Sequence, residues 1–266
     1  MDFSVISLRR VVAVSGLILA AQSAQAAPAI IGGQEVSASD QVAQVTVAVY
    51  DRAGGLCTGS LIDKDLVLTA AHCVESGAKS LSVLFTRNIN SMGNAPVAKV
   101  LGAVTPPGWT GVDNAEGIDQ HDIALIRFKG ALPAGYKVAD TLTDSSELAP
   151  GVTTLLAGYG ISTATANDPM GMTAGVLRKA EVSIESKLGK TEIVLDQTTG
   201  KGACHGDSGG PAYLVEDGKL ILWGVTNRGY PDNAPDDCAH KAVYTNLNAY
   251  RAWLNEAAAQ LRQIAE

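Results

Sequence analysis

The run GACHGDSGGP, residues 202–211, decides how the rest of this chain is interpreted. In it Ser208 follows an acid and precedes two glycines, and a cysteine lies four residues upstream. Glycine adopts backbone angles that other residues avoid and lets a ligand approach the main chain closely. The run therefore predicts a tight loop that presents one hydroxyl group with exposed backbone amides around it.

Two other stretches offer the partners that such a hydroxyl group needs. Serine is a weak nucleophile unless a base removes its proton and a third group orients that base. His72 lies in TAAHC, residues 69–73, and Asp122 opens the apolar strand of HDIAL, residues 121–125. Alone, each residue has a structural interpretation: a core histidine, a strand-end acid or a turn serine. An acid at the start of an apolar strand needs a partner if it is buried, and together the three stretches indicate nucleophilic catalysis.

Composition limits the classes of protein that fit. The 266 residues suffice for one large all-β domain or two small ones, and 46% hydrophobic against 18% charged residues predicts a packed core. The formal net charge of -7 argues against a nucleic acid partner, because an acidic protein repels phosphate groups. No Cys-x-x-Cys motif or closely spaced histidine pair occurs, so a bound metal is not expected. Nucleophilic catalysis by a serine needs no organic cofactor, and none is expected.

Residues 1–29 have the pattern of an export signal with a possible very short propeptide. Arg9 and Arg10 form a positive start, residues 11–21 are apolar and small residues follow. The apolar run is short for a membrane span, although a membrane anchor is the alternative. The adjacent arginines could indicate twin-arginine export, but the rest of that motif is missing. We expect a secreted protein, extracellular or periplasmic, with no stable membrane span.

The remaining chain reads as many short strands separated by turns, a pattern typical of an all-β sandwich or barrel. The predicted strands cover residues 44–50, 57–62, 66–68, 81–85, 97–104, 123–128, 153–158, 176–184, 192–195, 212–215, 221–226 and 242–245. Residues 248–264 differ, because their apolar positions have helical spacing. We expect a C-terminal helix there, capped by Asn248 and packed on the barrel.

Taken together, the three stretches resemble the chymotrypsin-like (trypsin-like) serine protease family. The resemblance covers about residues 30–253, with the motifs in the order His, Asp, Ser, and residues 158–160 match the family's Gly-Trp-Gly turn with tyrosine for tryptophan. It implies two six-stranded antiparallel β-barrels with the active site between them and a C-terminal α-helix. Within a protease domain of residues 30–266, the first barrel would cover about residues 30–135, the second about 136–245 and the helix about 248–264.

The resemblance also implies a role for each residue of the site. Ser208 would attack the substrate carbonyl, and His72 would take the serine proton and then give it to the leaving amine. Asp122 would fix the imidazole tautomer and stabilise its positive form. The backbone N–H groups of Gly206 and Ser208 would bind the oxyanion.

Residues 30–33, IIGG, resemble the family's mature amino terminus. The resemblance implies that a freed amine at Ile30 pairs with Asp207, the acid beside the nucleophile. Ala29 precedes Ile30, so activation by a trypsin-like cut does not fit. We expect either signal cleavage after Ala29 or trimming of residues 27–29 to produce this end directly.

The chain has four cysteines, which allow three pairings in an exported protein. The resemblance selects the disulfides Cys57–Cys73 and Cys204–Cys238. The first would tie a strand to the loop after His72, and the second would brace the serine loop. Each would stabilise the fold by about 3 kcal/mol on the loop-entropy model.

Specificity is predicted from the residues that the resemblance assigns to the primary pocket. These are Gly202 at its base and a set of neighbours: Ala203, His205, Asn227, Arg228, Gly229 and Ala242. The family's Ser-Trp-Gly is Asn227-Arg228-Gly229 here. A neutral pocket lined by small residues favours an uncharged, apolar side chain.

Two other preferences remain open, because charged residues flank this pocket. Asp232, Asp236 and Asp237 could attract a basic residue, whereas Arg228 with His205 could attract an acidic one. We favour solvated loop charges in both cases.

These inferences predict a monomeric secreted serine endopeptidase that acts on protein or peptide substrates through an acyl-enzyme. The short signal, few cysteines and minimal prosegment indicate a bacterial source. A related hydrolase that cleaves esters is one alternative. A protease fold kept as a binding or adhesion protein, weakly active or inactive, is the other, because the Asn227-Arg228 pair departs from the family.

Overall fold

The computed structural model describes residues 30–111, 117–163, 173–231 and 238–265. In chain order its elements are β1 (Gln34–Glu35), α1 (Gln41–Val45), β2 (Thr46–Asp51), β3 (Gly55–Asp63), β4 (Leu66–Thr69), β5 (Leu81–Leu84), β6 (Val97–Val104), β7 (Ala124–Phe128), β8 (Asp140–Thr141), β9 (Thr153–Gly158), β10 (Arg178–Leu188), β11 (Glu192–Asp196), β12 (Pro211–Glu216), β13 (Lys219–Tyr230), β14 (Lys241–Asn246) and α2 (Arg251–Arg262). Short 3-10 helices occur between them, one at His72–Val74.

Six strands of the first half close into an antiparallel barrel in the order β2-β3-β4-β7-β6-β5. Successive side chains of a strand point to opposite faces, so one set from each strand faces inwards. That set is apolar and includes Val47, Leu61, Val67, Val83, Ile126 and Phe128.

The second half forms another antiparallel barrel in the order β9-β10-β11-β14-β13-β12, closed by pairing of β12 with β9. β1 extends it beside β10, and β8 pairs in parallel with β13. Its interior holds Leu156, Val182, Ile184, Ile193, Leu195, Trp223 and Tyr244. The all-β prediction of two six-stranded barrels with a C-terminal helix is confirmed.

One apolar cluster joins the two barrels. It combines Leu68 and Ile123 from the first half with Leu155, Tyr213 and Leu222 from the second. Packing the barrels against each other buries these residues, which neither barrel could shield alone. The junction fixes the position of the loops that approach each other beside it.

Both disulfides expected from the family resemblance are formed, Cys57–Cys73 and Cys204–Cys238. They tie β3 to the 3-10 helix at His72–Val74 and the serine loop to the segment before β14. In the described ranges, no helix is long and apolar enough to cross a membrane. The predicted export signal lies outside the residues that the structure describes.

Every predicted strand overlaps a strand of the structure, but two local predictions were wrong. The strand expected from residue 44 begins at Thr46, because α1 precedes it and Asp40 caps that helix, accepting from the Val42 N–H at 3.0 Å. Asn248 does not cap the C-terminal helix. α2 begins at Arg251 without a side-chain cap, whereas Asn246 caps the short 3-10 helix Leu247–Tyr250 before it by accepting from the Asn248 N–H at 3.1 Å.

The C-terminal helix α2 packs on the first barrel. Its buried residues Ala257 and Leu261 contact Leu66 and Leu125. Beneath the helix end, Arg127 donates from Nη1 to the carbonyls of Leu261 (3.2 Å) and Ile264 (2.6 Å). A cation at the C-terminal end of a helix is favourable, because the carbonyl groups there carry partial negative charge.

Candidate active site

His72 and Asp122 are brought together by the pairing of β4 with β7. Thr69 at the end of β4 lies opposite Ala124 at the start of β7, so the residues just beyond these strands are neighbours. The His72 ring nitrogen Nδ1 lies 2.7 Å from Oδ2 of Asp122, and the His72 backbone N–H donates to Oδ1 at 3.0 Å. Asp122 is buried and its own carbonyl accepts from the Thr245 hydroxyl group at 2.9 Å.

The pKa of His72 is raised by this arrangement. Burial by itself lowers the pKa, but the hydrogen bond to Asp122 and the negative charges of Asp122 and Glu75 raise it by more. The protonated imidazole is therefore more stable here than in solution.

Ser208 lies in a loop held by backbone hydrogen bonds on both sides. Its carbonyl accepts from Thr58 N–H at 2.8 Å, and the next residue, Gly209, donates to Thr226 at 2.8 Å. Ser208, His72 and Asp122 line the same cleft, which has a volume of about 650 Å³. Within the described ranges, no hydrogen bond joins the Ser208 hydroxyl group to His72.

The loop before Ser208 requires glycine at residue 206. Gly206 has φ +95°, and a Cβ atom there would lie 2.9 Å from the Gly160 Cα atom. Neither the Gly206 nor the Ser208 N–H group donates to another of the described residues. These two amides are thus available to an acceptor from outside the protein.

Asp207 is completely buried beneath this loop. Its carboxylate accepts from the N–H groups of Gly160 (2.7 Å) and Cys204 (2.9 Å). Burial raises the pKa of Asp207 to about 7, although these two hydrogen bonds and the charge of Arg178 lower it. A charged Asp207 therefore needs a further positive partner.

Ile30 lies in the same part of the molecule but does not pair with Asp207. Its side chain is fully buried in the second barrel, and Ile31 exchanges two backbone hydrogen bonds with Gly202, at 2.9 and 3.0 Å. Ile30 is still joined to Ala29, so it carries an amide and not a charged amine. Among the described residues, its N–H group is not a partner of Asp207.

Most of the residues predicted for the primary pocket line the cleft. These are Ala203, His205, Asn227, Arg228, Gly229 and Ala242, and Thr226 lines it as well. Gly202 does not line the cleft, because the side chain of Gln197 lies against it. The Gln197 amide accepts from Ala203 N–H (2.6 Å) and donates to the Ala203 and Cys238 carbonyls (3.2 and 3.1 Å).

Arg228 is paired inside the protein. Its guanidinium group donates to Oε1 of Glu192 at 2.9 Å and to Oε2 at 3.1 Å. The charge that could have attracted an acidic substrate is thus balanced by Glu192. Asp232, Asp236 and Asp237, which could attract a basic one, lie outside the described residues.

Glu192 and Gln197 contact residues of the cleft and were not predicted from the sequence. Glu192 opens the apolar strand β11, just as Asp122 stands before the apolar strand β7, so the same rule about buried acids would have found it. Gln197 follows that strand with no motif around it, and nothing in the sequence marks it.

Comparison with known proteins identifies the family of the chain. The family described as trypsin matches residues 30–254. The chain is 31% identical to a chymotrypsin of Phaedon cochleariae over 244 residues, covering 85% of this chain and 80% of that protein. It is 28% identical to chymotrypsin-like elastase family member 1 of Bos taurus, covering 94% and 98%. It is also 29% identical to trypsin alpha-4 of Lucilia cuprina, covering 87% and 88%.

The fold and the cleft define a two-barrel serine protease. The chain belongs to the trypsin family of serine endopeptidases.

Proposed function

We propose that this protein is a secreted serine endopeptidase that hydrolyses peptide bonds through Ser208, His72 and Asp122. The observation that supports the proposal is the 2.7 Å contact between His72 Nδ1 and Asp122, made in the cleft that Ser208 also lines. Ser208 forms the acyl-enzyme, which water then hydrolyses.

In this proposal His72 is the proton carrier. Because Nδ1 is bound to Asp122, Nε2 is the nitrogen that takes the Ser208 proton and later gives it to the leaving amine. The raised pKa of His72 favours the imidazolium ion that forms. Catalytic hydrogen bonds are often long in free enzymes and tighten when substrate binds, which fits the missing bond between Ser208 and His72.

The amides of Gly206 and Ser208 bind the oxyanion in this proposal. Their lack of partners among the described residues, together with the glycine backbone at 206, supports that role. Loss of one such donor typically lowers the rate by about 100- to 1000-fold.

The burial of Asp207 supports a proposal for how the protein is activated. We propose that cleavage after Ala29 frees the amine of Ile30, which then pairs with Asp207 and holds the serine loop in its active shape. A buried charge is tolerated only with a partner, and Ile30 is already buried in the same barrel.

The proposed preference of the primary pocket is for an uncharged side chain. Ala203, Thr226 and Ala242 line the cleft, and the charge of Arg228, which also lines it, is balanced by Glu192. Secretion, a bacterial source and a monomeric state remain predictions from the sequence.

Substitution of Ser208 tests the mechanism. Ser208→Ala should abolish peptide hydrolysis and labelling by a fluorophosphonate while the thermal unfolding midpoint stays within about 2 °C of the wild type, because only a hydroxyl group is lost. Ser91→Ala, at an exposed serine outside the cleft, is the matched control and should keep full activity. No labelling of Ser208 in protein that begins at Ile30 would favour the binding or adhesion alternative.

Cleavage of a peptide library by the processed wild type tests the pocket. We expect kcat/KM at least about tenfold higher for apolar residues before the cut than for Lys, Arg, Asp or Glu, since a buried charge without a partner is costly. Preference for either charge class would contradict a neutral pocket, whereas the assignment of Ser208 would stand.

A further inference from the structure

The carboxylate of Glu192 is completely buried where the two barrels meet. It accepts hydrogen bonds from the backbone N–H groups of Asp119 and Gln120, both at 3.0 Å, and from Nδ2 of Asn227 at 3.2 Å. Arg228 binds it through both terminal nitrogens. Glu192 thus joins β11 of the second barrel to the segment that leads to Asp122.

Arg228 holds the same segment a second time. Its Nη2 atom donates to the carbonyl of Gly117 at 2.6 Å. Residues 117–120 are therefore held at one end by Arg228 and at the other by Glu192. A planar guanidinium group has the fork geometry that such a double contact needs.

Residues 117–121 have an unusual backbone. Asp119 and His121 have φ of 51° and 59°, left-handed values that residues other than glycine rarely adopt. Such a backbone persists only where its surroundings over-determine it. Asp119 is also held through its own carboxylate, which accepts from the Thr191 N–H and hydroxyl groups, both at 2.7 Å.

The held segment ends at Asp122. The Asp122 carbonyl accepts from Thr245, and Thr245 lies opposite Glu192 in the pairing of β11 with β14. The N–H groups of Asp119 and Gln120 are thus bound by a side chain of β11, and the Asp122 carbonyl is bound by a side chain of β14.

We propose that Glu192 and Arg228 are positioning residues that hold residues 117–121 in their strained conformation and so orient Asp122 toward His72. This inference rests on the proposed function of the His72–Asp122 pair. Arg228 occupies the place of the family's tryptophan beside the substrate, yet its charge is taken up by Glu192, which fits positioning better than recognition of an acidic substrate.

Glu192→Gln is the test, because it preserves the size of the side chain and removes the charge. The variant replaces one acceptor oxygen with an NH₂ group that cannot accept from the segment. We expect kcat to fall about 100-fold with KM changed less than about threefold, since small misplacement of a catalytic group has effects of that size.

The pH profile separates positioning from a purely structural role. Asp122 and Glu75 are the charged groups that raise the pKa of His72. In the variant, only the contact between Asp122 and His72 should weaken. The low-pH limb of kcat/KM should therefore move to lower pH. The same shift should appear in the pH dependence of fluorophosphonate labelling, which needs no knowledge of the preferred substrate.

Glu185→Gln is the matched control. It removes an acid that pairs with Lys241 on the surface of the same barrel, outside the cleft, and should leave kcat and the pH profile unchanged. A folded Glu192→Gln protein with kcat within threefold of the wild type overturns the inference. So does a fall in kcat with an unmoved low-pH limb, or a change in KM alone.

Arg228→Lys decides the matter if Glu192→Gln does not fold. Lysine keeps the charge but not the fork, so the Gly117 contact and the double contact to Glu192 cannot both be made. The same fall in kcat and shift of the low-pH limb are expected, and wild-type values would contradict the proposal. If the wild type itself does not hydrolyse peptides or react with the fluorophosphonate, the proposed function fails instead.

Discussion

At the scale of single residues, Asp207 is the residue on which the proposed activation depends. Its carboxylate has two backbone N–H partners and no solvent exposure, and burial raises its pKa to about 7. In an unfolded chain the pKa of an aspartate is about 3.9. Between about pH 4 and about pH 7, Asp207 is therefore protonated in the folded protein with an uncut amino terminus, whereas it has lost that proton in the unfolded chain.

The pH dependence of stability should differ between the uncut and the cut protein. A raised folded-state pKa stabilises the fold at low pH, and that stabilisation is lost as pH rises from about 4 to about 7, on the order of 4 kcal/mol. We expect this loss in protein that retains residues before Ile30, measured by urea unfolding in the Ser208→Ala background. In protein that begins at Ile30, the amine should keep Asp207 charged and remove the loss over that range.

Asp207→Asn in the uncut protein is the control for this experiment. Asparagine does not titrate, so the additional loss between pH 4 and 7 should disappear. Equal slopes in the uncut and cut proteins would contradict an ion pair between Ile30 and Asp207.

The residues found from sequence are those that carry a local signal. Ser208 has glycines on one side and an acid on the other, and His72 has an alanine pair and a cysteine beside it. Glu192 has only the apolar run after it, and its partners lie 36 and about 70 residues away along the chain. The apolar run marks Glu192 as an acid that needs a partner if it is buried, but it does not show which distant residues the fold brings to it.

At the level of elements, the end of α2 depends on a buried ion pair in the first barrel. Arg127 contacts Asp65 at 3.0 Å and two carbonyls at the end of the helix, and both side chains are nearly buried. Removing one member of a buried pair leaves the other charge without compensation.

Arg127→Met should therefore lower the free energy of unfolding by about 3–5 kcal/mol, because Asp65 loses its partner and the helix its anchor. Arg262→Met is the matched control at the same helix end. It removes a pair with Asp63 in which both side chains are nearly half exposed, and such pairs contribute about 0–1 kcal/mol. Equal losses in the two variants, measured by urea unfolding, would contradict this account.

The elements themselves were largely predictable, but their ends were not. Alternation of apolar residues identified the strands, since that pattern follows from the period of the strand. The cap predicted at Asn248 was wrong because a short 3-10 helix, capped by Asn246, precedes α2, and the apolar spacing does not separate the two helices.

For the whole molecule, the many short strands predicted an all-β fold, whereas the number of barrels came from the family resemblance. Closure depends on which distant strands pair, as β9 does with both β10 and β12. The pocket shows the same limit. Gly202 was expected to form a small, neutral floor of the primary pocket. The Gln197 side chain that lies against Gly202 could not be inferred from the sequence.

The apolar cluster between the barrels has a consequence for dividing the protein. Leu68 and Ile123 share a buried cluster with Leu155, Tyr213 and Leu222 of the second half, so a fragment that ends after β7 would expose part of that apolar cluster to water. Such a fragment would aggregate instead of folding alone, and the halves would have to be made as one polypeptide or refolded together.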